Sequence, residues 1–153
     1  NGVIMASVQW EVGTVITHMS TELNALADDA NAIGTSLIDN AETADLYLFD
    51  DVEWHNSTMG YAPVTDAVIE LYCVSQELDG VGMEDGDSTI DPPQVNLVGV
   101  FNMRATTGPQ THILRQIPIS PGKYKYVVIN KTGQALGATG NTLKVTPYRY
   151  QTT

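Results

Sequence analysis

The stretch Lys123-Tyr124-Lys125-Tyr126-Val127-Val128-Ile129 indicates the fold class most directly. Aromatic and β-branched residues dominate it, and these residue types favour a pleated, half-buried strand. Residues 66–76 behave in the same way, because every second position is apolar on one face: Ala67, Ile69, Leu71 and Cys73. Both stretches therefore predict β-strands.

Alternation with a period of two extends along most of the chain and gives a count of about eight strands. Turn-forming residues such as Asp39-Asn40 and Ser120-Pro121-Gly122 separate most of these strands. Helical spacing is confined to residues 23–30, which predicts one short helix or a packed loop. The candidate strands cover residues 8–17, 32–39, 44–54, 66–76, 95–103, 111–119, 123–129 and 143–146.

Two residues disturb this pattern. Asp50 falls on the apolar face of the strand at residues 44–54, where it predicts a bulge or an early end of the strand. Pro147 follows the last alternating stretch and has no N–H to donate to a neighbouring strand. We therefore expect any continuation of that strand to lie at the edge of a sheet.

The charges divide the chain into two parts. All 18 acidic residues lie between Glu11 and Asp91, and all 7 Lys and Arg residues lie between Arg104 and Arg149, which gives a net charge of −11. One interpretation is two domains joined near residues 91–93. The other is a single domain in which early acidic strands pair with late basic strands. Halves of about 90 and 60 residues would each be marginal alone, which favours the single domain.

We predict an all-β chain that forms a single jelly-roll-like β-sandwich of about eight strands with an N-terminal arm. In a jelly roll, the first strand pairs with the eighth, the second with the seventh, the third with the sixth and the fourth with the fifth. Most of these pairs would join an acidic strand to a basic or neutral one. Residues 1–17 form the arm or the first strand and residues 18–153 the sandwich. An immunoglobulin-like sandwich is the alternative.

Composition argues against several classes of partner. The longest apolar stretches, such as residues 127–129, are far shorter than the roughly 20 residues that a membrane helix needs. A net charge of −11 opposes the binding of nucleic acid, which requires basic surfaces that neutralise phosphate. We therefore expect neither a membrane nor a nucleic-acid partner.

The acidic, glycine-containing segment at residues 77–87 is the best candidate for a metal site. Its carboxylates could bind Ca²⁺, but their spacing does not match an EF-hand, so we interpret the segment as a solvated loop. The candidate ligands are Asp79, Glu84, Asp85 and Asp87. We expect no bound metal and no cofactor.

The sequence contains no motif that identifies an enzyme. His18, His55 and His112 are scattered without the spacing of zinc ligands, and no Gly-x-Ser-x-Gly motif occurs. A Ser-His-Asp triad stays open, because its members need not be adjacent in sequence. Since acids are abundant, neighbouring carboxylates such as Asp50-Asp51 are expected by coincidence, and we predict a protein without catalytic activity.

The aromatic residues have two interpretations. Exposed rings can stack on sugars, as they do in carbohydrate-binding modules with a β-sandwich fold. Packing within the core and across neighbouring strands is the commoner role of aromatic residues in sheets. The residues concerned are Trp10, Trp54, Tyr124, Tyr126, Tyr148 and Tyr150.

A further pattern consists of short motifs between residues 30 and 150. These motifs are Ile38-Asp39-Asn40 with Asp45-Leu46-Tyr47, Val68-Ile69-Glu70-Leu71-Tyr72, Leu78-Asp79-Gly80, Leu97-Val98-Gly99-Val100-Phe101 with Arg104-Ala105, Pro118 with Pro121-Gly122-Lys123-Tyr124-Lys125-Tyr126, and Asn141-Thr142-Leu143. Together they resemble small virion structural proteins of tailed bacteriophages, of the capsid decoration (cement) type. The resemblance implies a structural β-sandwich of the particle and brings no catalytic residues.

On this basis we expect a protein of the outer capsid surface that bridges subunits of the major capsid protein, as a homotrimer. Its acidic surface would dock on basic patches of the shell. Its N-terminal segment, in which only Glu11 is charged, would bind the partner by strand addition. The alternatives are a tail or fibre module and a carbohydrate-binding β-sandwich. The candidate partner-binding residues are Val3, Ile4, Val8, Trp10 and Val12.

Overall fold

The structure is a computed structural model that describes residues 7–40, 46–78 and 80–152. The described residues form ten β-strands and two 3₁₀ turns, the latter at Thr21–Leu23 and Gln94–Asn96. The strands are β1 (Val8–Val12), β2 (Ile16–Met19), β3 (Asn31–Ile33), β4 (Ile38–Asn40), β5 (Phe49–Asn56), β6 (Val68–Ser75), β7 (Leu97–Asn102), β8 (Gln110–Pro118), β9 (Gly122–Lys131) and β10 (Thr142–Thr152).

These strands form two antiparallel sheets. Sheet A has the order β1-β10-β5-β8. β2 also pairs with β10, at Leu143–Val145, which precede the part of β10 that pairs with β1. Sheet B has the order β3-β9-β6-β7. β4 also pairs with β9, at Gly122–Tyr124, which precede the part of β9 that pairs with β3. Because β1 and β2 share one position, as do β3 and β4, the ten strands occupy eight positions. When these positions are counted along the chain, the first pairs with the eighth, the second with the seventh, the third with the sixth and the fourth with the fifth. This pairing confirms the predicted jelly-roll-like sandwich.

The main core lies between the facing sides of the two sheets. Every second residue of β5 is buried, and Val52 and Trp54 are completely enclosed. Trp54 in sheet A approaches Phe101 in sheet B, with their ring centroids 6.0 Å apart. Each large side chain buried in this way contributes roughly 1.5–3 kcal/mol to folding. The alternation that predicts strands therefore also identifies the residues that hold the sheets together.

The outer face of sheet B is covered by the chain itself. The long connection between β6 and β7 folds back, and Gln76 forms an isolated β-bridge with Met83. Met83 packs against a second hydrophobic cluster on that face, which consists of Tyr72, Val74, Val127 and Ile129. This connection therefore gives sheet B a second, smaller core on its outer side.

The division of charge corresponds to pairing between early and late strands. Glu11 lies opposite Arg149, Asp39 opposite Lys123 and Glu53 opposite Lys144 in their ladders. Exposed ion pairs contribute only about 0–1 kcal/mol each, so they favour this register without driving the fold. The salt bridges recorded among the described residues are Glu11–Arg149, Asp29–Lys131, Asp39–Lys123, Asp51–Arg115 and Glu53–Lys144.

The expectation that Pro147 confines its strand to an edge is wrong. β10 continues through Pro147 to Thr152 and lies between β1 and β5. The Pro147 carbonyl accepts a hydrogen bond from the N–H of Gly13 at 2.7 Å, so the Pro147 nitrogen faces the same side. That side meets the break between β1 and β2, where a missing donor interrupts no continuous ladder. A Cβ at Gly13 would lie 2.9 Å from the Pro147 ring, so glycine is needed for this approach.

The bulge predicted near Asp50 lies on the partner strand. The pairing of β5 with β8 shifts between Asp50 and Val52, and the extra residue belongs to the Arg115-Gln116 segment of β8. Gln116 has a φ of +59°, a conformation that is strained for a residue with a side chain.

In the segment with helical spacing, residues 23–30, a 3₁₀ turn ends at Leu23 and turns follow, so the packed-loop alternative applies.

The sequence left open whether residues 1–17 form an arm or the first strand. Residues 8–12 form a strand of sheet A, and β2 continues past residue 17.

We predict that deleting residues 1–13 lowers the free energy of unfolding by about 2 kcal/mol, because β1 is only partly buried. Urea denaturation monitored by far-UV circular dichroism measures this loss. A Leu143→Ala variant, expected to cost about 3 kcal/mol, is the reference for core damage. A truncated chain that fails to fold, or that is as stable as the full chain, would contradict this prediction.

Candidate functional site

The outer face of sheet A carries a cluster of aromatic side chains from three adjacent strands. The register places Trp10 opposite Tyr150, and both Val12 and Phe49 opposite Tyr148. The Trp10 ring centroid lies 4.2 Å from that of Tyr150 and 5.1 Å from that of Tyr148. Phe49 stacks on Tyr148 with 5.6 Å between ring centroids. We call Trp10, Phe49, Tyr148 and Tyr150 the aromatic patch.

The backbone groups of β1 point alternately to its two edges. Gly13 donates its N–H to the Pro147 carbonyl, so the backbone N–H and C=O groups of Glu11 and Gln9, two and four residues earlier, also point to β10. The backbone N–H and C=O groups of Val8, Trp10 and Val12 therefore point to the other edge. No described strand pairs with that edge. β1 thus combines outward apolar side chains with an open row of backbone donors and acceptors.

The exposure of this surface is large for apolar residues. The exposed fraction is 64% for Val8, 50% for Trp10, 65% for Val12 and 49% for Tyr150. Sheet B has a comparable apolar outer face, but its own β6–β7 connection covers that face. No described segment covers the aromatic patch in the same way. Contiguous exposed apolar surface of this kind marks sites of interaction with partners or ligands.

A groove of about 530 Å³ lies beside the aromatic patch. Trp10 and Tyr148 line one part of it, and Asp51, Arg115 and Gln116 line another. Asp51 holds the bulge of β8 in place, since its Oδ2 accepts a hydrogen bond from Arg115 Nη1 at 2.8 Å and its Oδ1 accepts one from the Gln116 N–H at 3.0 Å. Burial and the Asp51 carboxylate raise the pKa of Tyr148, which keeps its hydroxyl protonated. The groove therefore combines apolar and hydrogen-bonding groups.

A second cavity of about 460 Å³ lies between β2 of sheet A and β4 of sheet B. It is lined by residues of β2 and β4 and of the segments beside them, including His18, Glu22, Asp39 and Tyr124. Glu22 accepts hydrogen bonds from the Thr35 hydroxyl and from the N–H of Ser20. The lining of this side cleft is more polar than that of the groove beside the aromatic patch.

His18 is a buried, neutral side chain at this cleft. Burial lowers the pKa of His18 to about 4. The N–H of Tyr126 donates to Nε2 of His18 at 3.0 Å, so the neutral ring carries its proton on Nδ1. A Cβ at Gly34 would lie 2.0 Å from Nε2, so only glycine permits this position of the ring.

Asp50 connects the two sheets through hydrogen bonds inside the core. Its Oδ2 accepts hydrogen bonds from the hydroxyls of Tyr124 at 2.6 Å and Tyr126 at 2.7 Å. Burial raises the pKa of Asp50, and the two tyrosines oppose this shift. Its Oδ1 has no partner among the described residues. The apparent misfit of Asp50 in the sequence is therefore a polar contact across the core.

The structure separates the aromatic residues that the sequence groups together. Trp54, Tyr124 and Tyr126 are buried between the sheets, so they cannot stack on an external ligand. Tyr150 and Trp10 remain half exposed on the outer face, and Tyr148 lies between them and Phe49. The stacking alternative therefore applies only to the aromatic patch.

The predicted partner-binding residues are placed only in part. Val8, Trp10 and Val12 lie together in β1, on the outer face of sheet A. Val3 and Ile4 lie outside the described residues. The β1 residues are integral to the sheet by their pairing with β10.

The candidate metal ligands are distributed over the β6–β7 connection. Asp79 lies outside the described residues, and Asp85 is exposed. Glu84 accepts a hydrogen bond from the N–H of Ser75, and Asp87 accepts hydrogen bonds from the N–H groups of Thr89 and Ile90. In residues 7–40, 46–78 and 80–152, no group of three or more His, Cys, Asp and Glu side chains is arranged to hold a metal ion.

The histidines and the cysteine lie in different environments. His18 belongs to β2, and β10 separates that strand from β5 and β8, which carry His55 and His112. His55 contacts the hydroxyl of Thr111 through Nδ1 at 2.9 Å. Burial raises the pKa of Cys73 to about 12, which makes its thiol a poor nucleophile.

Sequence reasoning missed the polar side of the groove and the side cleft. Asp51, Arg115 and Gln116 meet only because β5 pairs with β8 and the bulge shifts the register. Opposite charges at residues 51 and 115 in strands expected to pair were a usable signal for the Asp51–Arg115 contact. No sequence signal marks the side cleft, because its walls come from strands of two different sheets, whose relative position no local pattern indicates.

Comparison with known proteins does not assign a family. No protein-family model matches the chain, and no curated protein is significantly similar to it. Within the described part of the chain, no helix has the length and apolar character needed to cross a membrane.

The buried His18 predicts a loss of stability in acid. Its pKa is about 4 in the folded protein and 6.5 in the unfolded chain, so the unfolded chain binds more protons between these values. The free energy of unfolding should therefore fall by about 3 kcal/mol from this residue as the pH drops from 6.5 to 4. Urea denaturation at successive pH values measures the effect.

A His18→Gln variant keeps an acceptor for the Tyr126 N–H and should show a smaller decline across this window. The His55→Gln variant is the matched control and should decline like the original chain. Parallel curves for the original and His18→Gln proteins would show that His18 is not the titrating group.

Proposed function

We propose that the protein is a structural subunit of a tailed-bacteriophage particle that decorates the outer capsid and bridges subunits of the major capsid protein. The observation that carries this proposal is the open edge of β1, with its exposed Val8, Trp10 and Val12 side chains. The short motifs that resemble phage virion proteins support the assignment to a phage particle and the expectation of a homotrimer. The proposal assigns the protein a binding role and no catalytic one.

The edge of β1 lacks the usual protection against strand pairing. Natural edge strands are commonly protected by charges, prolines or bulges. Glu11 is the only charged residue in Val8–Val12, and its carboxylate accepts a hydrogen bond from Arg149 Nε at 2.6 Å. An extended segment of a partner can therefore pair with the open backbone groups while it covers the apolar side chains.

The distribution of acids supports an orientation for the docked protein. Seven described acids between residues 66 and 91 form no salt bridge with a described Lys or Arg, and they lie in or beside β6 and the β6–β7 connection. These elements belong to sheet B or cover its outer face, opposite the outer face of sheet A. In our proposal the sheet A side contacts the shell and the acidic side faces outward, which replaces the sequence-based expectation that the acidic surface docks on basic patches of the shell.

Such docking would stabilise the assembled particle by mass action. A protein that binds the assembled shell and not the separate subunits shifts the equilibrium towards assembly. Strand addition supplies backbone hydrogen bonds, which contribute about 0.5–1.5 kcal/mol each. Burial of the β1 side chains adds an apolar contribution that salt does not screen.

We predict that Val8→Pro weakens binding to capsids that lack the protein by about tenfold. Val8 is the first residue of β1 and its N–H points to the open edge, so proline removes a donor without breaking the ladder to β10. Val8→Ala is the matched control, because it trims the side chain and keeps the donor. Co-sedimentation with expanded capsids measures binding, and thermal denaturation confirms that both variants fold.

Equal binding by Val8→Pro and the original chain would exclude strand addition at this edge. Cryo-electron microscopy of decorated particles tests the location separately. Density on the tail, with none on the head, would replace the decoration role with a tail or fibre role.

A further inference from the structure

We propose that the groove beside the aromatic patch binds a neutral saccharide. This site is separate from the open edge of β1, because it uses side chains on the face of sheet A and not the backbone at its border. Trp10 contributes to both surfaces. The proposal goes beyond the decoration role and does not depend on it.

The aromatic part of the groove fits the apolar face of a sugar ring. Trp10 is half exposed, and contacts with Tyr148 and Tyr150 hold its ring in one orientation. A pyranose presents several C–H groups on one side, which pack against an aromatic ring. Since the ring is already held in place, stacking on it costs little additional conformational entropy.

The polar part of the groove fits the hydroxyl groups at the rim of the sugar. The Gln116 side chain carries an amide donor and acceptor, and Arg115 retains N–H groups beyond the one bonded to Asp51. The bulge of β8 positions both residues, and Gln116 maintains a φ of +59° there. Bulges and strained backbone are common beside binding sites, where they direct side chains towards a ligand.

The charge of the groove favours a neutral ligand. Among the described residues, Arg115 and Asp51 are the charged ones that line it, and they form a salt bridge of 2.8 Å. On the same face, Lys144 pairs with Glu53. An anionic ligand would gain little from an arginine that is already paired, and a cation would gain little from the paired aspartate. A hydroxylated, uncharged ligand requires neither pair to separate.

The size of the groove also agrees with a small ligand. Its volume of about 530 Å³ lies within the range of about 300–1,000 Å³ that is typical of small-molecule sites. Apolar walls with a few positioned polar groups are the usual composition of such sites. The groove is open to solvent, and its polar side is more than a purely apolar protein contact requires.

The full chain should be applied to an array of neutral, sialylated and sulfated glycans, and the retained glycans then titrated by isothermal calorimetry. We expect retention of neutral glycans. Trp10→Ala and Arg115→Met should each weaken binding at least tenfold. The matched controls are Tyr61→Ala, an exposed tyrosine outside the groove, and Lys144→Met, a paired cation on the same face; both should bind normally.

Several results would overturn this proposal. They are the absence of any retained glycan, retention of anionic glycans only, and binding that neither Trp10→Ala nor Arg115→Met affects. Loss of capsid docking in Arg115→Met without glycan retention would identify the groove as a protein contact. Because Val8→Pro should retain glycan binding, failure of the saccharide site is distinguishable from failure of the decoration role.

Discussion

The pairing of β1 and β2 with β10 is the contact on which both proposed surfaces depend. It joins the first two strands to the last one and forms the side of sheet A that lies away from β8. Its register sets Trp10 against Tyr150 and Val12 against Tyr148, so one ladder creates the aromatic patch. The same ladder directs alternate backbone groups of β1 to the open edge. A shift of one residue would turn Trp10 towards the interior and remove the apolar row from the surface.

The fold was predictable because two independent patterns agree. Alternation with a period of two gives about eight strands, and the separation of acids from bases favours pairing of early strands with late ones. The ladder partners Glu11–Arg149, Asp39–Lys123 and Glu53–Lys144 correspond to that expectation. These ion pairs contribute little to stability, so the charge pattern indicates which strands pair but does not cause the pairing. The cause is burial of the alternating apolar residues between the sheets.

The features that sequence reasoning missed depend on contacts between elements. Asp50 is tolerated because Tyr124 and Tyr126, on the opposite sheet, both donate hydrogen bonds to it. Pro147 is tolerated in a central strand because its nitrogen faces the break beside Gly13. The polar side of the groove exists because a bulge in β8 places two residues opposite Asp51. None of these arrangements follows from a local pattern, since each requires the relative positions of strands distant in sequence.

Amide-resolved hydrogen exchange of the isolated chain can show whether β1 is an open edge strand whose outward residues are available for binding. An open edge gives alternating protection: slow exchange at Gln9 and Glu11, whose amides are directed to β10, and fast exchange at Val8, Trp10 and Val12. Slow exchange at all of these amides would show that the edge is already occupied and that β1 is not free to bind a partner.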